Sequence, residues 1–246
     1  MNFRFLSVLP VLIWLMLPGA AWAGFFDDLL QGASQTIQEG GLSTASLSQQ
    51  DIIAGLKQAL EKGTGRTVQQ VGHTDGYWKN DRIRIPLPEK WQRPARLLKK
   101  AGLGSYADEL QRRINRAAET AGPLAKPIFL DAIRHMSFAD AEQIWKGSDD
   151  AATRYFKTRT EDDLTRAFTP IVHRELERSG AVRSWRRFSS QYSALPLIGG
   201  YLKDDLDEYA TRMALAGMFT ILAGEEAKIR HDPAARTTEL LRRVFQ

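Results

Sequence analysis

The chain has 246 residues and contains no cysteine, so disulfide bonds and thiol chemistry are excluded. A chain of this length can bury a core large enough to be stable through packing alone. Its formal net charge is +5 at pH 7, with 34 Lys and Arg against 29 Asp and Glu, and the positive excess is concentrated in one part of the chain.

The first 23 residues have the features of a secretory signal peptide. Arg4 supplies positive charge, residues 5–17 form an uncharged apolar run, and the chain reaches Ala23 through a small-x-small pattern typical of signal peptidase sites. We therefore predict cleavage after Ala23 and a periplasmic location, with full secretion as the alternative that the same signal would serve. An uncleaved anchor is a further alternative, but an apolar run of 13 residues is short for a membrane span. We expect no transmembrane segment after signal removal.

Residues 24–47 predict a short helix followed by a linker, because two phenylalanines precede a stretch rich in Gly, Ser, Thr and Gln. From Ser48 onward the apolar residues recur at helical spacing. Residues 82–87 differ, since apolar side chains alternate with other residues there. Pro86 and Pro88 cannot donate to a strand ladder, so this part is predicted to be one short extended segment and not a central strand.

Two pairs of residues mark predicted helix starts further along the chain. Ser137 precedes Asp140 by three positions, and Thr160 precedes Asp163 by the same spacing. This is the pattern of a capping box, in which each side chain accepts a hydrogen bond from the backbone amide of the other residue. We therefore predict that a helix begins at each pair.

The segment MALAGMFTILAG, residues 213–224, is apolar on every side of a helix and too short to span a membrane. It predicts a buried central helix over about 205–230. Because the helical period dominates elsewhere, the predicted fold class is all-α. We expect an irregular bundle of about eight helices, which form a single domain over residues 48–246.

The C-terminal stretch IRHDPAARTTELLRRVFQ, residues 229–246, is rich in polar side chains. Asp is a preferred N-cap and Pro is favoured at the first helical position. Asp232 and Pro233 therefore predict the start of a helix that docks the C-terminus. The alternative is a binding or catalytic element, for which Arg236 is the candidate residue.

Positive charge concentrates between residues 79 and 100, where eight Lys and Arg stand against two acidic residues. Six of the eight make the candidate basic surface, namely Arg82, Arg84, Arg93, Arg96, Lys99 and Lys100. An exported protein meets anionic lipid headgroups, glycans and acidic protein faces, so we predict an anionic envelope component or a protein as the partner, and no nucleic acid. A solvated helix face without a partner is the alternative.

A second candidate site consists of polar residues on segments that are expected to pack together. They are Asn115, Arg116, Glu119, Lys126, Asp150, Tyr155 and Arg159, to which the C-terminal stretch adds Arg236. Asn115 and Glu119 are four positions apart beside alanines, which permit close approach of another helix or a ligand. Buried charges must be paired or meet a ligand, so the cluster predicts either a structural polar network or a ligand site.

Other chemistries have little support in the sequence. Asp131 with His135, and His173 with Glu177, have the spacing of two metal ligands on one helix, but helix-surface ion pairs explain them equally. Adjacent acidic residues, as at 225–226, point about 100° apart on a helix and do not face each other across a cleft. No nucleophile, phosphate-loop or dinucleotide motif occurs. We predict neither a metal nor a cofactor.

Several segments, taken in order, resemble the bacterial exported family of unknown function numbered 4197. They are TDGYWKN (74–80), IPLP (85–88), NRAAE (115–119), AKPIF (125–129), DDAATRYF (149–156), PIV (170–172) and EEAKIRHDPAARTTELLRRVF (225–245). The resemblance runs from about Leu47 to the C-terminus. Ser148 departs from it, because a second glycine usually follows Gly147. The resemblance implies an exported helical protein with one domain, and no residue inherits a role because the family has no established activity.

Three functions remain open at this point. The favoured one is a non-catalytic binding or scaffold protein of the envelope, which recognises an anionic partner through basic helical surfaces. The second is a hydrolase or lyase that acts on an envelope component through the central polar cluster. The third is a structural protein whose helical faces mediate oligomerisation.

Overall fold

The structure is a computed structural model that describes residues 48–100, 102, 104–180, 183, 206–236 and 238. These described residues belong to one compact unit, Leu47–Gln246. The predicted signal peptide and the predicted linker lie outside the described residues, as does most of the predicted C-terminal helix.

The described part of the chain is all-helical, which confirms the predicted fold class for it. Its α-helices are α1 (Gln49–Gly72), α2 (Glu89–Lys100), α3 (Gly104–Ala121), α4 (Ala125–Arg134), α5 (Phe138–Trp145), α6 (Ala151–Arg178) and α7 (Leu206–His231). Short 3-10 turns occur at Gly122–Leu124 and at Pro233–Ala235. No described helix is both long enough and apolar enough to cross a membrane.

The core forms where α7 packs against α6, α1 and α3. The apolar side chains of α7 are buried in this core, among them Ala214 and Met218, each at 0 % exposure. Phe129 of α4 stacks edge to face on Phe156 of α6 and on Phe219 of α7, with ring centroids 5.2 and 6.4 Å apart. α3 packs against α6 and also holds α2, so α2 lies outside the central contacts.

One of the two predicted capping boxes is present and the other is wrong. Ser137 and Asp140 make both bonds of the box and begin α5. Thr160 lies inside α6, is 1 % exposed, and donates from its hydroxyl to the carbonyl oxygen of Phe156 at 2.7 Å. The same sequence spacing fits both situations, because a threonine hydroxyl can bond back to the carbonyl four residues earlier in a helix.

The predicted extended segment has irregular backbone over residues 84–88, without strand pairing. Ile83, Ile85 and Leu87 are buried, while Arg84 between them is exposed. The alternation read in the sequence therefore separates side chains that face the core from side chains that do not.

Candidate functional site

Helix α2 presents one face to the protein and the other to solvent. Trp91 is 4 % exposed and holds the helix to the core, with Pro94 buried beside it. Arg93, Arg96 and Lys100 stand at i, i+3 and i+7 on the outer face, and all three are exposed. Leu97 falls between them at i+4. We call these four residues the α2 stripe.

Four cations of α2 are not neutralised by any carboxylate of the described residues. Within the described residues, the side chains of Arg93, Arg96, Lys99 and Lys100 make no ion pair and no hydrogen bond. Exposed arginines elsewhere often form ion pairs, as on α6, where Arg178 pairs with Glu175 at 3.3 Å. Positive charge at the end of α2 also complements the negative end of the helix dipole, so these cations cost the fold little.

Leu97 is 43 % exposed although it belongs to a helix with a well-formed buried face. It lies on the same side of the helix as Arg93, Arg96 and Lys100, and not on the buried side beside Trp91. Tyr106, in the first turns of α3, is 47 % exposed near the end of α2. Single exposed apolar residues are common on protein surfaces. What distinguishes Leu97 is its place among the exposed cations of α2.

A groove of about 300 Å³ runs between α2 and α3. Arg96 and Lys99 line it from α2, and Asp108 lines it from α3. Leu87 and Ala107 provide apolar lining. The volume is at the lower limit of typical small-ligand sites.

The basic residues of the loop before α2 contact other groups of the protein. Lys79 pairs with Asp75 at 2.7 Å. Arg84 donates from Nε to the carbonyl oxygen of Trp78 at 2.6 Å, and its guanidinium lies 5.0 Å from the centre of that indole. The guanidinium of Arg82 lies near Gly224 of α7. The predicted basic surface therefore consists of loop cations with local contacts and α2 cations without them.

The polar residues of NRAAE hold the loop that precedes α2. The side chain of Asn115 accepts from the amide of Ile85 and donates to the carbonyl of Ile85, both at 2.8 Å. The Asn115 amide thereby supplies Ile85 with the donor and the acceptor that a paired strand would otherwise provide. Pro86 and Pro88, which lack amide hydrogens, disfavour such strand pairing here. Asn115 is fully buried, so these two bonds and a third, donated to the carbonyl of Gln111 at 2.8 Å, offset its desolvation.

Glu119, one helical turn after Asn115, also bonds to the backbone of the loop before α2. Its carboxylate is 4 % exposed and accepts from the amides of Tyr77 and Trp78, both at 3.0 Å. Arg116 pairs with Glu119 at 2.6 Å and also contacts Asp75. The Lys79 hydrogen bond, together with Arg116, holds the pKa of Asp75 below its usual value. These groups form a closed network that fixes the loop.

The remaining members of the predicted polar cluster make their contacts with other groups. The Tyr155 hydroxyl donates to the carbonyl of Ala132 at 3.1 Å, and Arg159 stands over the Tyr155 ring at 5.9 Å. Burial raises the pKa of Tyr155. Asp150 accepts from Ser148 at 2.7 Å, and Lys126 is exposed. Within the described residues no hydrogen bond or ion pair joins these side chains to the NRAAE network, because that network lies on the α3 face that meets the loop.

Arg236 has a structural position at the end of α7. Its guanidinium donates to the carbonyl oxygens of Ile229 and Arg230, at 3.1 and 2.8 Å. These carbonyls belong to the last turn of the helix, which has no further helical amides to bond. Asp232 accepts from the amide of Ala234 at 2.9 Å, as a turn-forming aspartate does.

A buried carboxylate that the sequence did not single out is Glu226 of α7. It is 8 % exposed and accepts from the amides of Ala152 and Thr153, both at 2.9 Å. Arg230 pairs with Glu226 at 3.0 Å and also donates to the carbonyl of Ile144 at 2.8 Å. Glu226 thus caps α6 from another helix. The only sequence signal was the adjacent acidic pair inside an apolar helix.

Each of the two predicted histidine pairs is a pair of neighbouring side chains on one helix or at its end. His135 lies 3.3 Å from Asp131, and His173 lies 3.5 Å from Glu177. Among the described residues, no group of three or more His, Cys, Asp or Glu side chains is placed to hold a metal ion.

Comparison with known proteins gives a family and no activity. A family model described as "Protein of unknown function (DUF4197)" matches residues 46–246, which confirms the resemblance of the sequence motifs. Neither a curated protein nor a solved structure matches the chain.

Proposed function

The chain belongs to the DUF4197 family, and we propose that it is an envelope-associated binding protein, which recognises an anionic partner through the exposed face of α2 and catalyses no reaction. The signal-like N-terminus supports the location, since it is typical of exported proteins. The family match extends over the region that contains α2.

The observation that carries the proposal is the set of four exposed cations on α2 that lack carboxylate partners in the described residues. A cation that is already paired has little to gain from an external anion, because a new contact must replace the old one. Unpaired cations on one helix act together on a multivalent anion, and their fields add at its surface. The partner proposed here is therefore polyanionic.

The polar network around Asn115 and Glu119 supports a structural role more than a catalytic one. Both side chains are buried and bonded to backbone groups of the loop at 74–85. A general acid or base must instead reach a substrate proton. For this reason we do not propose the hydrolase or lyase that the sequence left open.

The first test is binding of inorganic polyphosphate to the purified chain as a function of salt concentration. We expect binding to weaken steeply with salt, because exposed charges are screened over about 10 Å at 0.1 M salt. The double variant Arg93→Gln/Arg96→Gln should bind about tenfold more weakly, since each exposed ion pair contributes up to about 1 kcal/mol.

The matched control is Arg166→Gln/Arg178→Gln. It removes the same charge from α6, where both arginines are exposed and paired with neighbouring carboxylates. Its affinity for polyphosphate should stay within about twofold of the original chain. Equal losses in the two double variants would show a net-charge effect, and the proposed role of α2 would then be wrong.

A further inference from the structure

We infer that the anionic partner is the surface of a lipid bilayer, on which the α2 stripe lies with Leu97 inserted between the headgroups. This inference rests on the proposed function and names the partner of the same site. It concerns a peripheral contact and involves no spanning segment.

The position of Leu97 is the first argument. It is 43 % exposed, and the helix places it among Arg93, Arg96 and Lys100 rather than on the buried face beside Trp91. A dissolved polyanion would gain binding free energy from contacts with the cations and none from contact with Leu97. A bilayer offers both, since phosphates lie at its surface and acyl chains begin a few ångströms deeper.

The lengths of the side chains are the second argument. Arg and Lys have long flexible stems that bend along the surface, so their charged ends stay at the level of the phosphates while the helix itself lies deeper, among the headgroups. Leu97 extends directly from the same face of the helix, so its methyl groups meet the apolar boundary beneath the spread cations. The spacing i, i+3, i+4 and i+7 keeps all four residues on the side of α2 that meets one plane.

The rigidity of the stripe is the third argument. Trp91 is buried, and Gln92 donates from its side chain to the carbonyl of Leu87 at 3.1 Å. The helix is thus formed and oriented before it meets a surface, so binding does not have to fold it. Because one leucine contributes little apolar area, we expect reversible attachment that depends on anionic lipid.

The test compares sedimentation of the full chain with vesicles of phosphatidylglycerol and phosphatidylcholine in equal parts, and with vesicles of phosphatidylcholine alone. We expect binding to the anionic vesicles that falls with salt. Arg93→Gln/Arg96→Gln should weaken it about thirtyfold, because each cation near an anionic surface contributes roughly fivefold in affinity. Leu97→Ser should weaken vesicle binding about threefold to fivefold and leave polyphosphate binding unchanged.

The matched control for the leucine is Leu124→Ser. Leu124 is 38 % exposed, in the turn that follows α3, about 27 Å along that 18-residue helix from the end of α2. This variant should bind vesicles as the original chain does. Because all variants share one N-terminus, any contribution of the signal-like segment cancels in the comparison.

The outcomes separate the two proposals. If polyphosphate binding depends on Arg93 and Arg96 but anionic vesicles are not bound, the bilayer inference is overturned and the proposed function stands. The same holds if Leu97→Ser and Leu124→Ser have equal effects on vesicle binding. If neither kind of binding depends on the two arginines, both proposals fail.

Discussion

Gly217 shows how one residue lets α7 and the loop before α2 approach each other. A Cβ atom at this position would lie 2.7 Å from Cε1 of Tyr77 and 3.2 Å from Cβ of Ile83. The Tyr77 hydroxyl donates to the carbonyl oxygen of Ala214 at 2.7 Å, and the side chain is fully buried. Burial raises the pKa of Tyr77, so its hydroxyl stays a neutral donor.

Gly217→Ala is expected to destabilise the protein by about 1–2 kcal/mol, because the overlap with the Tyr77 ring outweighs the higher helix propensity of alanine. Gly65→Ala is the control, since nothing lies within 4 Å of an added Cβ there and Gly65 is also inside a helix. The control should gain up to about 1 kcal/mol. Urea unfolding followed by circular dichroism measures both, and a stabilised Gly217→Ala would contradict the close contact.

At the scale of the element, α6 depends on α7 for its first turn. Asp150 is the N-cap residue of α6, yet its side chain makes no capping bond. The capping acceptor is the carboxylate of Glu226, which also accepts from the Thr153 hydroxyl at 2.8 Å. Negative charge at this end of a helix is favoured by the helix dipole. Two long helices are thereby joined at one end by a charged hydrogen-bond network.

Glu226→Ala is expected to destabilise the protein by about 3 kcal/mol, because Arg230 loses its buried partner and two amides of α6 lose their acceptor. Asp150→Ala should cost about 0.5 kcal/mol or less, since its half-exposed side chain contributes no cap. Thermal and urea unfolding of the two variants test this order. If Asp150→Ala costs more than Glu226→Ala, the cap of α6 is local and the assignment of Glu226 is wrong.

At the scale of the whole molecule, stability depends on pH through carboxylates whose folded-state pKa is lowered. Hydrogen bonds from Lys79, and also from Arg116, lower the pKa of Asp75, and hydrogen bonds from Ser137 lower that of Asp140. A lowered folded-state pKa stabilises the fold above the unfolded-state value, which is about 3.8. This contribution is lost as the pH falls through the folded-state pKa.

Asp75→Asn tests this acid dependence in one place. Asparagine tolerates the positive φ of 71° at this position, so the loop backbone should be retained. The variant should be less stable than the original chain at neutral pH, and the difference should shrink as the pH falls below about 3.8. Urea unfolding across that pH range measures it.

Asp81→Asn is the matched control for Asp75→Asn. The side chain of Asp81 is 93 % exposed, and this variant should change stability little at any pH. A difference between Asp75→Asn and the original chain that stays constant across the range would show that the charge of Asp75 does not stabilise the fold.

The sequence by itself determined the all-α class, the family and the local helix start at Ser137. These features depend on periodicity and on contacts within a few residues, which the chain order contains. It also located the polar residues of NRAAE and the cations of α2, because charged side chains in a pattern stand out. The signal peptide and the location of the protein stay predictions.

Only the tertiary structure decided which polar groups meet. Asn115 reaches Ile85 across 30 positions, and Glu226 reaches Ala152 across 74, so no local spacing could show either bond. Thr160 was mistaken for a cap for a local reason, because its hydroxyl bonds back to the carbonyl of Phe156 and the capping-box spacing does not exclude this. Local sequence patterns indicate which hydrogen bonds a side chain is able to make. Packing selects the partner, because a buried polar group must form its hydrogen bonds with whatever segment lies against it.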